Sequence, residues 1–237
     1  MATSFTCTPS QPTAAVALSL IPAGPPVGPG VSIFRQVDAE CGWHEPTQVV
    51  LYNGAETDVE ISALGFDDPH FAVEPIALPY KLAAGDILPL QLDFDANVGS
   101  FTGKLSVESS SGCVQFPVRA KGFESGKVGV AIHHPYVIDF GHVAAETLSP
   151  PVEFAVLDQP MSGSAKAKLE GFRSSSPSFR IEPQAKPPAA GGCEPVKVTI
   201  RLVAPNMPGL VTGQLSWISR DERAEATVVT EMIGVVD

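Results

Sequence analysis

Few residues in this chain have the type and spacing that chemistry would require. His133-His134-Pro135-Tyr136 is the one histidine cluster, with His142 nearby. Neighbouring side chains on a strand point to opposite faces, so His133 and His134 serve a single metal poorly. They read better as part of a connection between two halves of the chain. Asp93-Phe94-Asp95-Ala96-Asn97-Val98-Gly99 opens like a calcium loop. Its glycine comes one place late, however, and Lys104 stands where a bidentate glutamate belongs. That stretch reads as a strand end and a turn. Asp67-Asp68, with Glu40 or Glu74, offers oxygen ligands, but paired loop acids are more often simply solvated. There is no GxSxG, HExxH, phosphate-binding loop or GxGxxG. No nucleophile stands beside a base, so the expectation is a chain that is not an enzyme and carries no metal and no cofactor.

The four cysteines, Cys7, Cys41, Cys113 and Cys193, are 34, 72 and 80 residues apart. That spacing excludes the clustered pairs of a zinc site and leaves two readings: two disulfides, or idle thiols in a reducing compartment. Both tryptophans are isolated. Trp217 falls within a strand pattern and is expected in a core or at an edge, whereas Trp43 sits in a loop and is the better surface-contact candidate. A sugar-binding platform would want several aligned aromatics, and aromatics are only 7% of the chain.

The scaffold that would position these residues is legible from composition and pattern. Lys plus Arg number 15 against 26 Asp plus Glu, a formal net charge of −11. Such a surface repels phosphate and argues against nucleic acid or anionic membranes as partners. Hydrophobic residues make up 44% of the 237, far too many for a disordered acidic tail. No run approaches the ~20 apolar residues of a membrane span. The first basic residue is Arg35, after the apolar run Ala14–Ile21, so no secretory signal pattern is present; either none is used or Met1 replaces one. The 23 prolines and 21 glycines fit many short strands and turns. Val31–Val37, Thr47–Tyr52, Thr57–Leu64, Ile87–Phe94, Phe101–Glu108 and Val114–Ala120 are β-branched and aromatic runs divided by turn formers such as Asn53-Gly54, Asp67-Asp68-Pro69 and Gly85-Asp86. Ahead of them, Val16, Leu18 and Leu20 alternate with small residues, followed by the Pro/Gly-rich run Ile21–Gly30. This predicts a strand on an extended connector, added to an edge of its own unit or of a neighbouring copy, with Val16, Leu18 and Leu20 as interaction residues alongside Trp43.

An internal repeat organises the whole. Phe34 and Val37 return as Phe140 and Val143, Gly65-Phe66 as Gly171-Phe172, and Phe71-Ala72-Val73-Glu74-Pro75 as Phe179-Arg180-Ile181-Glu182-Pro183. Ala83-Ala84-Gly85 returns as Ala189-Ala190-Gly191, the Gly99–Ser106 phrase with Gly103 and Leu105 as Gly209–Ser216 with Gly213 and Leu215, and Gly122 as Gly234. The offsets run from 106 to 112. The predicted architecture is all-β: two tandem immunoglobulin-like β-sandwiches at 31–123 and 127–237, preceded by an N-terminal strand-like extension at 1–30.

Each repeat resembles the ASH/hydin type of immunoglobulin-like domain, related to major sperm protein domains and similar to choice-of-anchor repeats. The resemblance is carried by Ile138-Asp139-Phe140-Gly141-His142-Val143 and, more loosely, Ile33–Val37. A strand ending in Asn53-x-x preceded by Val49–Tyr52 with Gly54, the Phe71-to-Gly85 approach, and the Gly99–Ser109 and Gly209–Ser219 phrases complete it. It covers about 205 residues and implies fold more than function. In an immunoglobulin-like unit successive strands alternate in direction, which favours Cys7–Cys113 and Cys41–Cys193 over the other pairings if disulfides form. Disulfides would indicate an extracytoplasmic or cell-surface setting; free thiols would indicate a cytoplasmic one or the inside of a large particle.

The functional expectation is a non-catalytic structural or scaffolding protein acting through protein–protein contacts or self-assembly, in a surface or filamentous assembly, as the resemblance also implies. The alternative is a binding module, an adhesin or carbohydrate-recognition unit of an envelope or virion surface. Nothing in the sequence calls for a small-molecule ligand.

Overall fold

In the computed structural model the described residues are 5, 7, 18–21, 31–36, 47–95, 98–123, 131–133, 136–159, 168–182, 196–220 and 225–237. All regular structure among them is β. They fall into two compact units, the first ending at Phe123 and the second running to Asp237.

The first unit contains β1 (Leu18–Ile21), β2 (Val31–Gln36), β3 (Thr47–Asn53), β4 (Val59–Phe66), β5 (Phe71–Val73), β6 (Tyr80–Leu82), β7 (Ile87–Phe94), β8 (Gly99–Ser109) and β9 (Gly112–Phe123). One sheet has the order β1-β3-β7-β5 and the other β2-β9-β8-β4-β6. Both line one core. Leu18, Leu20, Val49, Leu51, Leu88, Leu90, Leu92 and Phe94 come from the first sheet, and Ile61, Phe66, Leu82, Leu105, Val107 and Val118 from the second. Apolar residues recur every second position on each strand, as a sandwich requires.

The second unit contains β10 (Ala131–His133), β11 (Val137–Val143), β12 (Val152–Gln159), β13 (Lys168–Ser174), β14 (Phe179–Ile181), β15 (Val196–Leu202), β16 (Gly209–Arg220) and β17 (Glu225–Val236). Its sheets are ordered β10-β12-β15-β14 and β11-β17-β16-β13, and they too enclose one core, with Trp217, Ile200, Leu202 and Leu215 fully buried. This is an immunoglobulin-like sandwich fold. Trp217 is a core residue.

The two units share a topological signature. β1 is antiparallel to β3 in one sheet, and the chain then reappears as β2, parallel to β9 in the other. In the second unit β10 is antiparallel to β12 and β11 parallel to β17. The opening strand of each unit therefore divides itself between the sheets. Leu18–Ile21, expected from sequence as a strand added to an edge of its own unit or of a neighbouring copy, is an edge strand of the first sandwich, paired with β3. Leu18 and Leu20 are buried and Ser19 is exposed, the alternation seen in the sequence. Val16 lies outside the described residues.

Pairing register also refines the repeat. Ser106 and Ser216 occupy the same place on β8 and β16, and their partners are Gly65 and Arg173. Gly65-Phe66 is thus not the structural match of Gly171-Phe172. The β4 ladder shifts between Ile61 and Ala63, whereas the β13 ladder shifts between Glu170 and Arg173, where Gly171 takes φ 71°. Gly234, likewise, pairs with Val211 and corresponds to Ala120, which pairs with Phe101. Bulges at different places shift the first pair of motifs; the second is shifted by connection length, since the β8–β9 and β16–β17 ladders run unbroken but Ser109 to Gly112 is shorter than Arg220 to Glu225.

Candidate functional site

Among the described residues, several acidic side chains singled out by the sequence are occupied in building turns. Asp67 Oδ1 accepts the Lys104 backbone N–H at 2.7 Å. Asp68 Oδ1 accepts the His70 backbone N–H at 2.9 Å and lies 2.8 Å from His70 Nδ1. Burial pushes the Asp68 carboxyl upward, but the two His70 hydrogen bonds and the imidazole charge outweigh it and hold Asp68 below the usual carboxylate range. Asp93 Oδ1 accepts the Phe94 N–H, and the Asp95 N–H donates to the His70 carbonyl. Glu40 and Asn97 lie outside the described residues. Among the described residues no three His, Cys, Asp or Glu side chains gather as a metal site. No helix there is long and apolar enough to cross a membrane.

Asn53 shows why an asparagine ends β3. Its side chain is fully buried. Its Nδ2 donates to the carbonyls of Thr57 (3.0 Å), Leu82 (3.2 Å) and Ala83 (3.0 Å), and its Oδ1 accepts the Ala55 N–H at 3.1 Å. A single amide thus ties the β3–β4 turn to the end of β6. Gly85, at φ 74°, closes the same corner by donating its N–H to the Asn53 carbonyl.

In the second unit Asp139 Oδ1 accepts the Gly141 N–H at 2.8 Å, and Gly141 adopts φ 62°. Burial pushes Asp139 above the ordinary carboxylate value, against the Gly141 N–H and the His142 charge, which pull it down. His142 Nδ1 lies 2.7 Å from Asp237 Oδ1 in an exposed pair. His133 forms part of β10, and His134 lies outside the described residues. The Asp-Phe-Gly phrase is therefore a bulge-forming turn, and a glycine is required there because the backbone is left-handed.

The interaction candidates divide. Leu18 and Leu20 are core-facing residues of β1. Trp43 lies outside the described residues, as do Cys41 and Cys193. Cys7 and Cys113 are joined by a disulfide with a Cα–Cα distance of 6.0 Å, within the ordinary span for such bonds.

That disulfide marks a site that sequence reasoning did not find. On β8, Leu105 and Val107 face the core, so Ser106 between them faces outward; yet it is fully buried. What covers it is the segment at Phe5 and Cys7. The Phe5 N–H donates to the Phe66 carbonyl at 2.8 Å, continuing the β4 edge beyond β6, which pairs only with Val59–Ile61. Phe5 lies directly on Gly65, where an added Cβ would come within 2.9 Å of the Phe5 Cβ. Gln115 Nε2 donates to the Cys7 carbonyl at 2.9 Å and to Ser106 Oγ at 3.3 Å. The outer row Gly65–Ser106–Gln115 is thus strapped by the N-terminal segment and locked at Cys113. The only sequence trace of it was the Cys7–Cys113 pairing argument.

No family profile matches the chain, and no curated protein does. Among solved structures, a protein of unknown function from Porphyromonas gingivalis is 13% identical over 92% of this chain and 99% of its own, with a TM-score of 0.34. An ASH/PapD-like domain of human CEP192 is 16% identical over 53% of this chain and 98% of its own, also at 0.34. The YadV chaperone is 10% identical over 90% of this chain and 100% of its own, at 0.32.

Proposed function

We propose that this chain is a non-catalytic structural protein, two ASH-like sandwiches in tandem, which works through lateral protein–protein contacts made by strand addition. One observation carries the reading: the β4 edge is completed by two separate short segments of the chain, β6 at Val59–Ile61 and Phe5 at Phe66. An edge that accepts short extended segments one after another is suited to backbone-mediated assembly. β1, laid on the β3 edge, follows the same principle. β13 ends its sheet with no partner beyond β16 among the described residues, and the exposed Arg173 on it is a charge of the kind expected on an edge held open selectively. Among the described residues, the carboxylates of Asp67, Asp68 and Asp139 are engaged in turns, which supports the non-enzymatic part of the proposal. The Cys7–Cys113 disulfide supports an extracytoplasmic setting.

The test is the mass of the native particle and its dependence on the N-terminus. Native mass measurement should give a particle larger than the 24.8 kDa chain, and removal of residues 1–24 should shrink it or lower its thermal midpoint. A monomer that keeps its midpoint after truncation defeats the proposal. A glycan array that retains the intact chain would favour the carbohydrate-binding alternative instead.

A further inference from the structure

We propose that Phe5–Cys7 is a latch on the β4 edge, held shut by the Cys7–Cys113 disulfide, and that reduction frees a seat which the same segment of a second copy then occupies. The inference rests on the strand-addition reading above and names its partner.

The seat is specific. It has a floor at Gly65 with no room for a side chain beneath Phe5, a backbone acceptor at the Phe66 carbonyl, and a polar end at Gln115 that takes the Cys7 carbonyl. It is complementary to an extended Phe-x-Cys segment. The corresponding row of the second unit is Arg173–Ser216–Val229. There an exposed arginine replaces Gly65, Ser216 is only half-buried, and Val229 is 43% exposed. Among the described residues the seat therefore occurs in the first unit and not in the second, and the segment that fits it is the one carrying Phe5 and Cys7. One donor and one acceptor of the same kind on every copy is the arrangement that permits reciprocal exchange between two copies.

The disulfide decides whether the seat is filled. Apart from it, the contacts of Phe5 and Cys7 among the described residues are the Phe5 N–H on the Phe66 carbonyl, the Phe5 side chain on Gly65, Gln115 Nε2 on the Cys7 carbonyl and the Cys7 sulfur 3.9 Å from the Val107 carbonyl. Holding the segment in its seat costs conformational entropy that these contacts must offset. The covalent tie removes that cost by keeping the segment beside its seat.

The opening step is thiol–disulfide exchange with a dithiol reductant. One thiolate of the reductant attacks a sulfur of the Cys7–Cys113 bond and forms a mixed disulfide. Its second thiol displaces the protein sulfur. Cys7 and Cys113 each end as a protonated thiol, and the reductant leaves as a disulfide. An oxidised dithiol reverses the sequence, pairing Cys7 of one copy with Cys113 of the other when the segments have exchanged.

The experiment mixes nitrogen-15-labelled and unlabelled full-length protein carrying Cys41→Ser and Cys193→Ser. The mixture is reduced with dithiothreitol, concentrated, re-oxidised and digested without reduction. On reduction the Phe5 amide should exchange hydrogen at the rate of an unprotected segment, while the paired amides of β8 and β9 keep their protection. After re-oxidation a share of the Cys7–Cys113 cross-linked peptides should combine one labelled with one unlabelled half. Cys7→Ser, which leaves the sandwich core untouched, should free the Phe5 amide without any reductant. A Phe5 amide that stays protected in reduced protein and in Cys7→Ser overturns the latch. Cross-links of one isotope only overturn the exchange. A native particle larger than one chain alongside either negative result would leave the strand-addition reading standing, so the two failures are distinguishable.

Discussion

The corner at Asp67–Phe71 and the corner at Ser175–Phe179 are the same object built from different side chains. In the first unit Asp67 takes the Lys104 N–H and Asp68 takes the His70 N–H. In the second, Ser175 Oγ takes the Gln214 N–H at 2.8 Å and Ser176 Oγ takes the Ser178 N–H at 3.3 Å. The Phe71 N–H reaches the Asp68 carbonyl and the Phe179 N–H the Ser176 carbonyl, both at 3.2 Å. Beneath each corner the phenylalanine lies on a glycine. A Cβ on Gly103 would fall 2.9 Å from the Phe71 ring, and one on Gly213 would fall 2.8 Å from the Phe179 ring. The shape is repeated, but the charge is not. The fold therefore specifies a short acceptor at each turn position and an absent side chain under the ring, and it leaves open whether the acceptor can ionise.

Removing the rings should give the largest effect. Phe71→Ala and Phe179→Ala, each at a position 2% exposed, should each destabilise their own unit by about 3–5 kcal/mol. Denaturant unfolding followed by residue-resolved hydrogen exchange would separate the two. Comparable losses sustain the comparison; a marked inequality would mean that the two corners carry different shares of their cores.

The next test fills the notch. Gly103→Ala and Gly213→Ala should each cost about 1–3 kcal/mol, because the ring above must move. The decisive version is the pair: Gly103→Ala with Phe71→Leu should cost less than the sum of the single changes, since Phe71→Leu relieves the clash that Gly103→Ala creates. Additive losses would show that the glycine serves its backbone instead. A related change, Asn53→Ala, should cost about 1–3 kcal/mol by stranding the buried carbonyl of Leu82. It should affect only the first unit.

These corners also explain what was legible in the sequence. Phe71 with Gly103 and Phe179 with Gly213 could be read as repeat landmarks because the clash they avoid is absolute, so residue type and spacing are both fixed. The long strands were legible from alternation. β5 and β6 were not, being three residues each, too short to show a period. The Gly65-Phe66 and Gly171-Phe172 match was misleading because the bulges fall at different places in β4 and β13. The N-terminal strap left almost no trace. Phe5 and Cys7 have no alternating pattern, and Ser106 is a small polar residue whose burial depends on a segment about a hundred residues away. Asp67 and Asp68 read as loop acids with spare valence, and only coordinates show that backbone donors take it up.

The smallest effect is the one in which the two units should differ in sign. Asp68 is held below its ordinary value by His70, so its contribution is complete above the unfolded carboxylate range near 3.9 and is lost as pH falls through its folded value. Asp139 is raised by burial, so its folded form binds a proton more readily than the unfolded chain does. Its effect on stability therefore runs the other way: stability falls as pH rises from the unfolded value through the raised folded one, and acidification through that window restores it. Hydrogen exchange at Phe71 and at Ile233, the β17 residue paired with Asp139, measured from pH 6 down to pH 3, should show protection at Phe71 weakening while protection at Ile233 holds or strengthens. Asp68→Ser, which copies Ser176, should flatten the first profile. Asp139→Asn, which keeps an acceptor for the Gly141 N–H without the buried charge, should flatten the second. If protection at Phe71 does not weaken on acidification, the acid in the first corner is only an alternative acceptor, and its charge has no part in holding the turn.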